Sequence, residues 1–257
     1  AGRLLARVIV NRLWKQHMGR GLVVTASDFG KMGAPPTHPL LLDWLARQLI
    51  DNNWSLKSIH RLILNSAVFR QGLAPQSQGL KLDPNNSLLW TRRKQRIEAE
   101  IIRDRLLQLS GLLKNTMYGN GSLNLLDPRR SVYLTVKRSK LVPFLQLFDA
   151  PDAIVGKGER NETNSAPQSL TLMNSPFVRD MSTRLAKTIT ATDNKDIINK
   201  AYWQTLSREA TSSETQYLSS FLDQQTKHYN KGKDARSKAI ADLCQLLICC
   251  NEFVYID

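Results

Sequence analysis

Ser131-Val-Tyr-Leu-Thr-Val136 is the one stretch of this chain whose composition predicts a β-strand. Its β-branched and aromatic side chains are typical of strands. A polar run, Gly156 to Ser165, and a helix signal at Ala166 to Met173 follow it. A lone strand needs a partner, so we expect a small β-hairpin or ribbon here. Leu170 to Met173 and Phe253 to Ile256 are the two candidate partner strands.

The rest of the chain carries helical patterns. Apolar residues recur every three or four positions, which is typical of amphipathic helices. The first predicted helix spans Arg3 to Met18 and stops at Gly19, and the clearest amphipathic one spans Ile97 to Leu113. Thr211-Ser-Ser-Glu214 has the pattern of a capping box and predicts a helix reaching about His228. We therefore predict a mainly α fold, a multi-helix orthogonal bundle with a small β-hairpin or ribbon insert.

Polar connections suggest how the chain is divided. We predict a helical core over residues 1–190, which includes the strand and the polar loop within 129–178. Residues 191–257 are predicted to form a C-terminal three-helix subdomain packed on this core. The linker before these helices is short, which favours packing over independent movement.

The charge is strongly basic. The chain holds 36 Lys and Arg against 22 Asp and Glu, a formal net charge of +14. Such a field favours acidic partners such as nucleic acid, anionic lipid or anionic polysaccharide. A solvated basic face, or one neutralised by an acidic neighbouring domain, is the alternative. Nucleic acid ranks last, because the basic residues are dispersed over helices without a recognised motif. We expect no transmembrane segment, since no apolar run approaches the roughly 18 residues required.

Cysteine and histidine patterns predict no metal site and no cofactor in this chain. The three cysteines fall in one late helix, match no zinc or haem motif, and are expected to be free thiols. His17 and His60 lie on separate predicted helices and could approach each other, but they form no metal-binding motif.

The polar loop and its flanks supply the candidate site. Arginine, lysine and amide side chains there could bind an anionic ligand. The predicted ligand-binding residues are Arg130, Lys137, Arg138, Arg160, Asn161, Asn164 and Gln168. Asp149 and Asp152 are the candidate catalytic residues, since glycoside chemistry needs two carboxyl groups. The same side chains could instead satisfy the backbone of an irregular loop, and this structural reading is favoured.

Motifs along almost the whole chain match one family pattern in order. They include Ala6-Arg-Val-Ile-Val-Asn-Arg-Leu-Trp14, His17-Met-Gly-Arg-Gly-Leu-Val23, Pro35-Pro-Thr-His-Pro39, Phe148-Asp-Ala-Pro151 and Met173-Asn-Ser-Pro-Phe-Val178. With these motifs the chain resembles the C-terminal domain of unknown function of planctomycete cytochrome-c-domain (PSD-type) proteins. One departure is Glu159, where the family pattern usually has a basic residue.

The resemblance implies an exported protein, periplasmic or at the cell surface, with haem c in an upstream domain. It also implies a link to the use of sulfated polysaccharides. The expected function is therefore a non-catalytic binding or assembly domain, whose partner is the upstream domain or an anionic polysaccharide. A polysaccharide-acting enzyme with carboxylate acid/base chemistry is the alternative, and nucleic-acid binding is the third. The family supplies no established catalytic residues.

Overall fold

The fold is mainly α, as predicted. A computed structural model describes residues 2–72, 77–151, 160–229, 232 and 234–256. Within them the α-helices are, in order, α1 (Gly2–Met18), α2 (Pro39–Asp51), α3 (Leu56–Leu64), α4 (Ser77–Leu82), α5 (Ala99–Leu109), α6 (Pro143–Leu147), α7 (Ala166–Asn174), α8 (Pro176–Thr188), α9 (Asn194–Leu206), α10 (Ser212–His228), α11 (Ala235–Ile248) and α12 (Asn251–Val254). None of these helices is long and apolar enough to cross a membrane.

The described residues fall into two compact units. The first lies within Ala1–Gln95, and the second lies within Arg96–Gly156 and Arg160–Ile256. The division predicted at residue 190 stays a prediction.

The first unit is built on three helices, α1, α2 and α3, that pack pairwise against one another. Their apolar faces meet in one core that includes Val10, Leu49 and Ile59, all fully buried. Helix α1 ends where predicted, because Gly19 adopts a φ of +78° that favours glycine.

The second unit is organised around α11, which packs against α8, α9 and α10. Leu243, Cys244 and Leu247 of α11 are completely buried in its core. Burial raises the pKa of Cys244 to about 12, which keeps this free thiol in its unreactive, protonated form at neutral pH.

Arg208 forms hydrogen bonds with both the first turn of α10 and α12. Arg208 donates two hydrogen bonds to Glu214, at 2.9 and 2.8 Å, and two to Glu252, at 2.9 and 3.0 Å. Glu214 also completes the predicted capping box with Thr211. Hydrogen bonds from Arg208, and then from the Thr211 backbone, lower the pKa of Glu214 to about 2 despite its partial burial.

The small β element is present, but it lies elsewhere than predicted. β1 (Gln95–Arg96) pairs with β2 (Tyr255–Ile256), and the Ile97 N–H donates to the Val254 carbonyl at 2.8 Å. Both candidate partner strands are therefore wrong as drawn. Of Phe253 to Ile256, only Tyr255–Ile256 is extended, and it pairs with β1, while Phe253 and Val254 belong to α12. Leu170 to Met173 is helical, because it lies within α7.

The predicted strand Ser131 to Val136 is wrong. Ser131–Tyr133 forms a 3-10 helix, and only isolated bridges follow it, from Leu134 to Ser122 and between Lys137 and Lys140. The Ser131 N–H donates to Asp104 of α5, and further along only Ser122, among the described residues outside the segment, bonds the backbone, through the Tyr133 carbonyl and the Thr135 N–H. The β propensity of these residues is therefore overridden.

Candidate functional site

A buried arginine on α5 organises the segment before the polar loop. The Arg103 side chain is completely buried and donates to the carbonyls of Leu125 at 2.9 Å and Arg129 at 3.1 Å, and also to that of Asp127. Its neighbour Asp104 accepts from the Ser131 N–H at 2.7 Å and from the Ser131 hydroxyl at 2.6 Å. Residues 125–131 are therefore fixed in an irregular path by one helix turn.

The sequence analysis did not identify this role of Arg103. A signal was available, because Arg103 falls on the buried stripe formed by Ala99, Ile102, Leu106 and Leu107. An arginine at such a position must be compensated by acceptors. Burial lowers the pKa of Arg103, partly offset by Asp104 and Asp127.

The candidate catalytic residue Asp149 lies in a second network with Arg96 and Thr163. Asp149 Oδ2 lies 2.6 Å from Arg96 Nη2, and the two side chains are only 15% and 7% exposed. The carboxylate also accepts from the Thr163 N–H at 2.8 Å and from the Thr163 hydroxyl at 2.8 Å. Arg96 donates in turn to the Thr163 carbonyl at 2.7 Å. These bonds link Asp149, which precedes the polar loop in the chain, to Thr163 near the end of that loop.

The backbone and charge of Asp149 both fit this holding role. Its φ is +62°, in the left-handed region that Asp and Asn enter more easily than most residues. Burial alone would raise the pKa of Asp149, but hydrogen bonds from Thr163 and Arg96 outweigh it and lower the pKa. The carboxylate is therefore ionised at neutral pH and suited to holding a loop, whereas a general acid needs a raised pKa.

Gln168 and Arg160, two predicted ligand-binding residues, make contacts within the protein. Gln168 is buried, completes a capping box with Ser165 at the start of α7, and donates to the Leu147 carbonyl at 2.9 Å. Arg160 donates to both carboxylate oxygens of Glu100, at 2.6 and 3.1 Å. Their donors therefore have partners before any ligand arrives.

Lys137 and Arg138 are placed differently. Lys137 and Lys140 are partners in an isolated antiparallel bridge, with Arg138 in the turn between them. The Lys140 N–H donates to the Lys137 carbonyl at 2.9 Å. All three cationic side chains are exposed, and none forms an ion pair with another described residue. We call Lys137, Arg138 and Lys140 the cationic turn.

The remaining predicted residues are dispersed. The Arg130 side chain is 67% exposed and lies 3.7 Å from Asp104, while Asn161 and Asn164 are exposed on the loop. Asp152 lies outside the described residues. A paired-carboxylate arrangement of Asp149 with Asp152 therefore stays a prediction.

His17 and His60 do come together, as the sequence suggested they could. His17 Nε2 lies 2.7 Å from His60 Nδ1, a hydrogen-bond distance, and the edge of one ring packs against the other. Burial lowers the pKa of His17, with further lowering from His60 and Arg92. In the part of the chain that the structure describes, no group of three or more His, Cys, Asp or Glu residues could hold a metal ion.

The fold and these networks define a mainly α domain whose irregular loops are held by buried ion pairs. The chain belongs to the family described as PSD1, protein of unknown function (DUF1553), whose model matches residues 1–222. This family assignment agrees with the resemblance drawn from the sequence motifs. Comparisons with curated proteins and with solved structures gave no match.

Proposed function

We propose that this domain is a non-catalytic binding module that recognises an anionic partner through the cationic turn. The partner we favour is a sulfated or carboxylated polysaccharide, and an acidic face of an upstream domain presents the same chemistry. Arginine can donate two hydrogen bonds at once to a sulfate or carboxylate, while the lysines act as point charges.

One observation carries this proposal: Lys137 and Lys140 are direct bridge partners. Side chains of directly opposed residues project from the same face of a ribbon, about 5 Å apart at their Cβ atoms. Two like charges in that position are destabilising. Because no described residue neutralises them, an anion bound between the two ammonium groups would relieve the repulsion.

The carboxylate chemistry of the alternative enzyme function has less support. Asp149 is ionised and accepts bonds from Arg96 and Thr163, which suits a structural role. Nucleic-acid binding draws on the same net charge of +14 and has no separate observation in its favour.

The cellular setting in this proposal comes from the sequence resemblance. We propose an exported domain, periplasmic or at the cell surface, in a protein that carries haem c upstream. In that setting the module would hold a sulfated polysaccharide or dock the upstream domain.

A binding screen tests the proposal. The chain is titrated with sulfated, carboxylated and neutral polysaccharides and with duplex DNA, each at two salt concentrations. We expect selective binding of a sulfated or carboxylated polysaccharide. This binding should weaken as salt is raised, but it should persist at the salt concentration at which DNA binding is lost.

A matched pair of triple variants identifies the surface. Lys137→Ala/Arg138→Ala/Lys140→Ala removes the cationic turn, and Lys187→Ala/Lys195→Ala/Lys227→Ala removes the same charge from exposed positions elsewhere in the second unit. Only the first variant should lose binding. Equal losses of binding in the two variants would refute the proposal. So would equal binding of every polyanion that disappears at the higher salt concentration, because the charge would then act only as a general field.

A further inference from the structure

An aromatic side chain of the second unit is displayed to solvent on the loop that follows α5. Tyr118 is 76% exposed, and its backbone φ is +68°. A bulky residue other than glycine seldom adopts this left-handed conformation, because its Cβ crowds the following carbonyl. The loop therefore holds Tyr118 in an unfavourable backbone conformation, and its side chain gains little burial in return.

An ion pair fixes this conformation. Arg129 donates to the Tyr118 carbonyl at 3.0 Å and to the Asn120 carbonyl at 2.8 Å. The guanidinium also donates to both carboxylate oxygens of Asp127, at 3.1 and 3.0 Å, and the two side chains are only 16% and 13% exposed. Hydrogen bonds from Arg129 lower the pKa of Asp127 to about 2, so the pair is ionised at neutral pH. The position of Tyr118 is thus set before any ligand binds.

Backbone hydrogen bonds connect this loop to the segment that leads into the cationic turn. The Ser122 N–H donates to the Tyr133 carbonyl at 3.1 Å, and the Thr135 N–H donates to the Ser122 carbonyl at 2.7 Å. Tyr118 is four residues from Ser122, and Lys137 is two residues from Thr135. The Cα atoms of Tyr118 and Lys137 are therefore at most about 25 Å apart. One polysaccharide chain can contact both.

The residues next to Tyr118 in the chain carry no charge. No Lys, Arg, Asp or Glu occurs between Lys114 and Asp127, and the amides of Asn115 and Asn120 are exposed. A site that stacks nucleobases combines its aromatic rings with a positively charged groove. A sugar ring instead presents C–H groups, which suit the partially negative face of an aromatic ring, and hydroxyls, which suit neutral amides. The chemistry around Tyr118 therefore favours a sugar ring over a nucleobase.

We propose that Tyr118 stacks against a sugar ring of the anionic polysaccharide, and that Arg129 and Asp127 are positioning residues for it. This inference rests on the proposed function, because the cationic turn would bind a charged substituent of the same polysaccharide chain. Stacking adds affinity that salt does not screen. It also allows the domain to distinguish polyanions of equal charge by their rings.

NMR titrations of the whole chain report on Tyr118 directly. Its ring signals are assigned with Tyr118→Phe, which removes the tyrosine signals and keeps an aromatic ring. The probes are oligosaccharides of a sulfated galactan and of a sulfated fucan, the same oligosaccharides after desulfation, and a single-stranded DNA oligonucleotide. At least one saccharide should shift the Tyr118 signals saturably in both its sulfated and its desulfated form, because stacking needs no charge. The desulfated form should shift them equally in the Lys137→Ala/Arg138→Ala/Lys140→Ala variant.

Affinities for the sulfated oligosaccharide separate stacking from charge. Tyr118→Asn removes the ring and keeps a residue that tolerates positive φ. It should weaken binding by about three- to tenfold, the usual contribution of an aromatic contact, and leave the salt dependence unchanged. Tyr118→Phe should bind within about twofold of the wild type, because the ring is kept. Tyr217→Asn is the matched control and should not change the affinity, since it removes a ring that is 69% exposed on α10.

Three results would overturn the proposal. The first is a set of Tyr118 signals that no saccharide moves. The second is an oligonucleotide that shifts them more strongly than every saccharide, which would indicate a nucleobase site. The third is an affinity for the sulfated oligosaccharide that is the same in Tyr118→Asn and Tyr217→Asn. The proposed function fails separately, if removal of the cationic turn changes neither the affinity for the sulfated oligosaccharide nor its salt dependence. The shifts from the desulfated form would then still place a sugar ring at Tyr118.

Discussion

Replacing Asp149 with asparagine removes one negative charge from its network with Arg96 and Thr163. Asparagine tolerates the left-handed backbone of this position, where φ is +62°, so the change isolates the charge from the conformation. The substitution leaves the guanidinium of Arg96 buried without its anion. It also leaves the Thr163 N–H with a neutral acceptor in place of a carboxylate.

The expected loss in the free energy of unfolding follows from burial. Breaking a buried ion pair costs about 3–5 kcal/mol, and a partly exposed one costs less. With Asp149 15% exposed and Arg96 7% exposed, and with the Thr163 bond partly retained, we expect a loss of about 2–4 kcal/mol. Asp149→Ala should lose about 1 kcal/mol more, because alanine is strained at positive φ.

The pH dependence has a definite sign. The folded-state pKa of Asp149 lies below its ordinary value of 3.8, so its contribution is complete above that value and is lost as pH falls below it. The difference in stability between wild type and Asp149→Asn should therefore be largest at neutral pH and shrink in acid.

Urea unfolding at pH 7 and near pH 3 measures both effects. Asp180→Asn is the matched control, because Asp180 forms an exposed pair with Arg184 at 3.0 Å, and its loss should cost less than about 0.5 kcal/mol. An Asp149→Asn protein as stable as this control at pH 7 would refute the structural role. The carboxylate would then be available for the alternative acid/base chemistry.

Further predictions concern Arg103, the Arg208 ion pairs and the thiols. Arg103→Met should lower the free energy of unfolding by about 3–5 kcal/mol in urea titrations, because three loop carbonyls lose their buried donor, and a loss below about 1 kcal/mol would contradict this role. Glu214→Gln should cost about 1 kcal/mol at pH 7. The cost should vanish as pH falls from the ordinary value of 4.5 towards about 2, and a constant difference across acid titrations would contradict this account. Burial raises the pKa of Cys244 to about 12 and that of Cys249 to about 11, so both should resist a thiol-specific disulfide reagent at pH 8 until urea unfolds the chain. Rapid labelling of Cys244 or Cys249 in the native protein would be the contrary result.

Local rules predicted the helices well. The end of α1 at Gly19 and the capping box of Thr211 with Glu214 depend on residues close in sequence, so they can be read without knowing the fold. The mainly α class is confirmed for the same reason, because helical periodicity is a local pattern. The contact of His17 with His60 could be raised only as a possibility, since it requires two helices to be packed first.

The failures come from contacts between residues far apart in the chain. Ser131 to Val136 has the composition of a strand. However, Arg103 and Asp104 form hydrogen bonds with the backbone at Leu125 and Ser131, more than twenty residues later in the chain. The intrinsic β propensity of a short segment contributes less free energy than several hydrogen bonds to buried charged side chains. Arg103 itself could have been found from its place on the apolar stripe of α5.

The candidate site shows the same division. The basic and amide residues of the polar loop were identified by type, but which of them are engaged within the protein depends on three-dimensional pairing. Arg160 and Gln168 have internal partners, whereas Lys137 and Arg138 are exposed in the cationic turn.

The salt dependence of polysaccharide binding tests the central claim most directly. The affinity for a sulfated polysaccharide is measured over a range of salt concentrations for the wild type and the two triple variants. If the cationic turn binds the polyanion, its removal should lower the slope of log affinity against log salt by up to about three released counterions. The Lys187→Ala/Lys195→Ala/Lys227→Ala control should keep the wild-type slope. Identical slopes for all three proteins would contradict a binding role for the cationic turn.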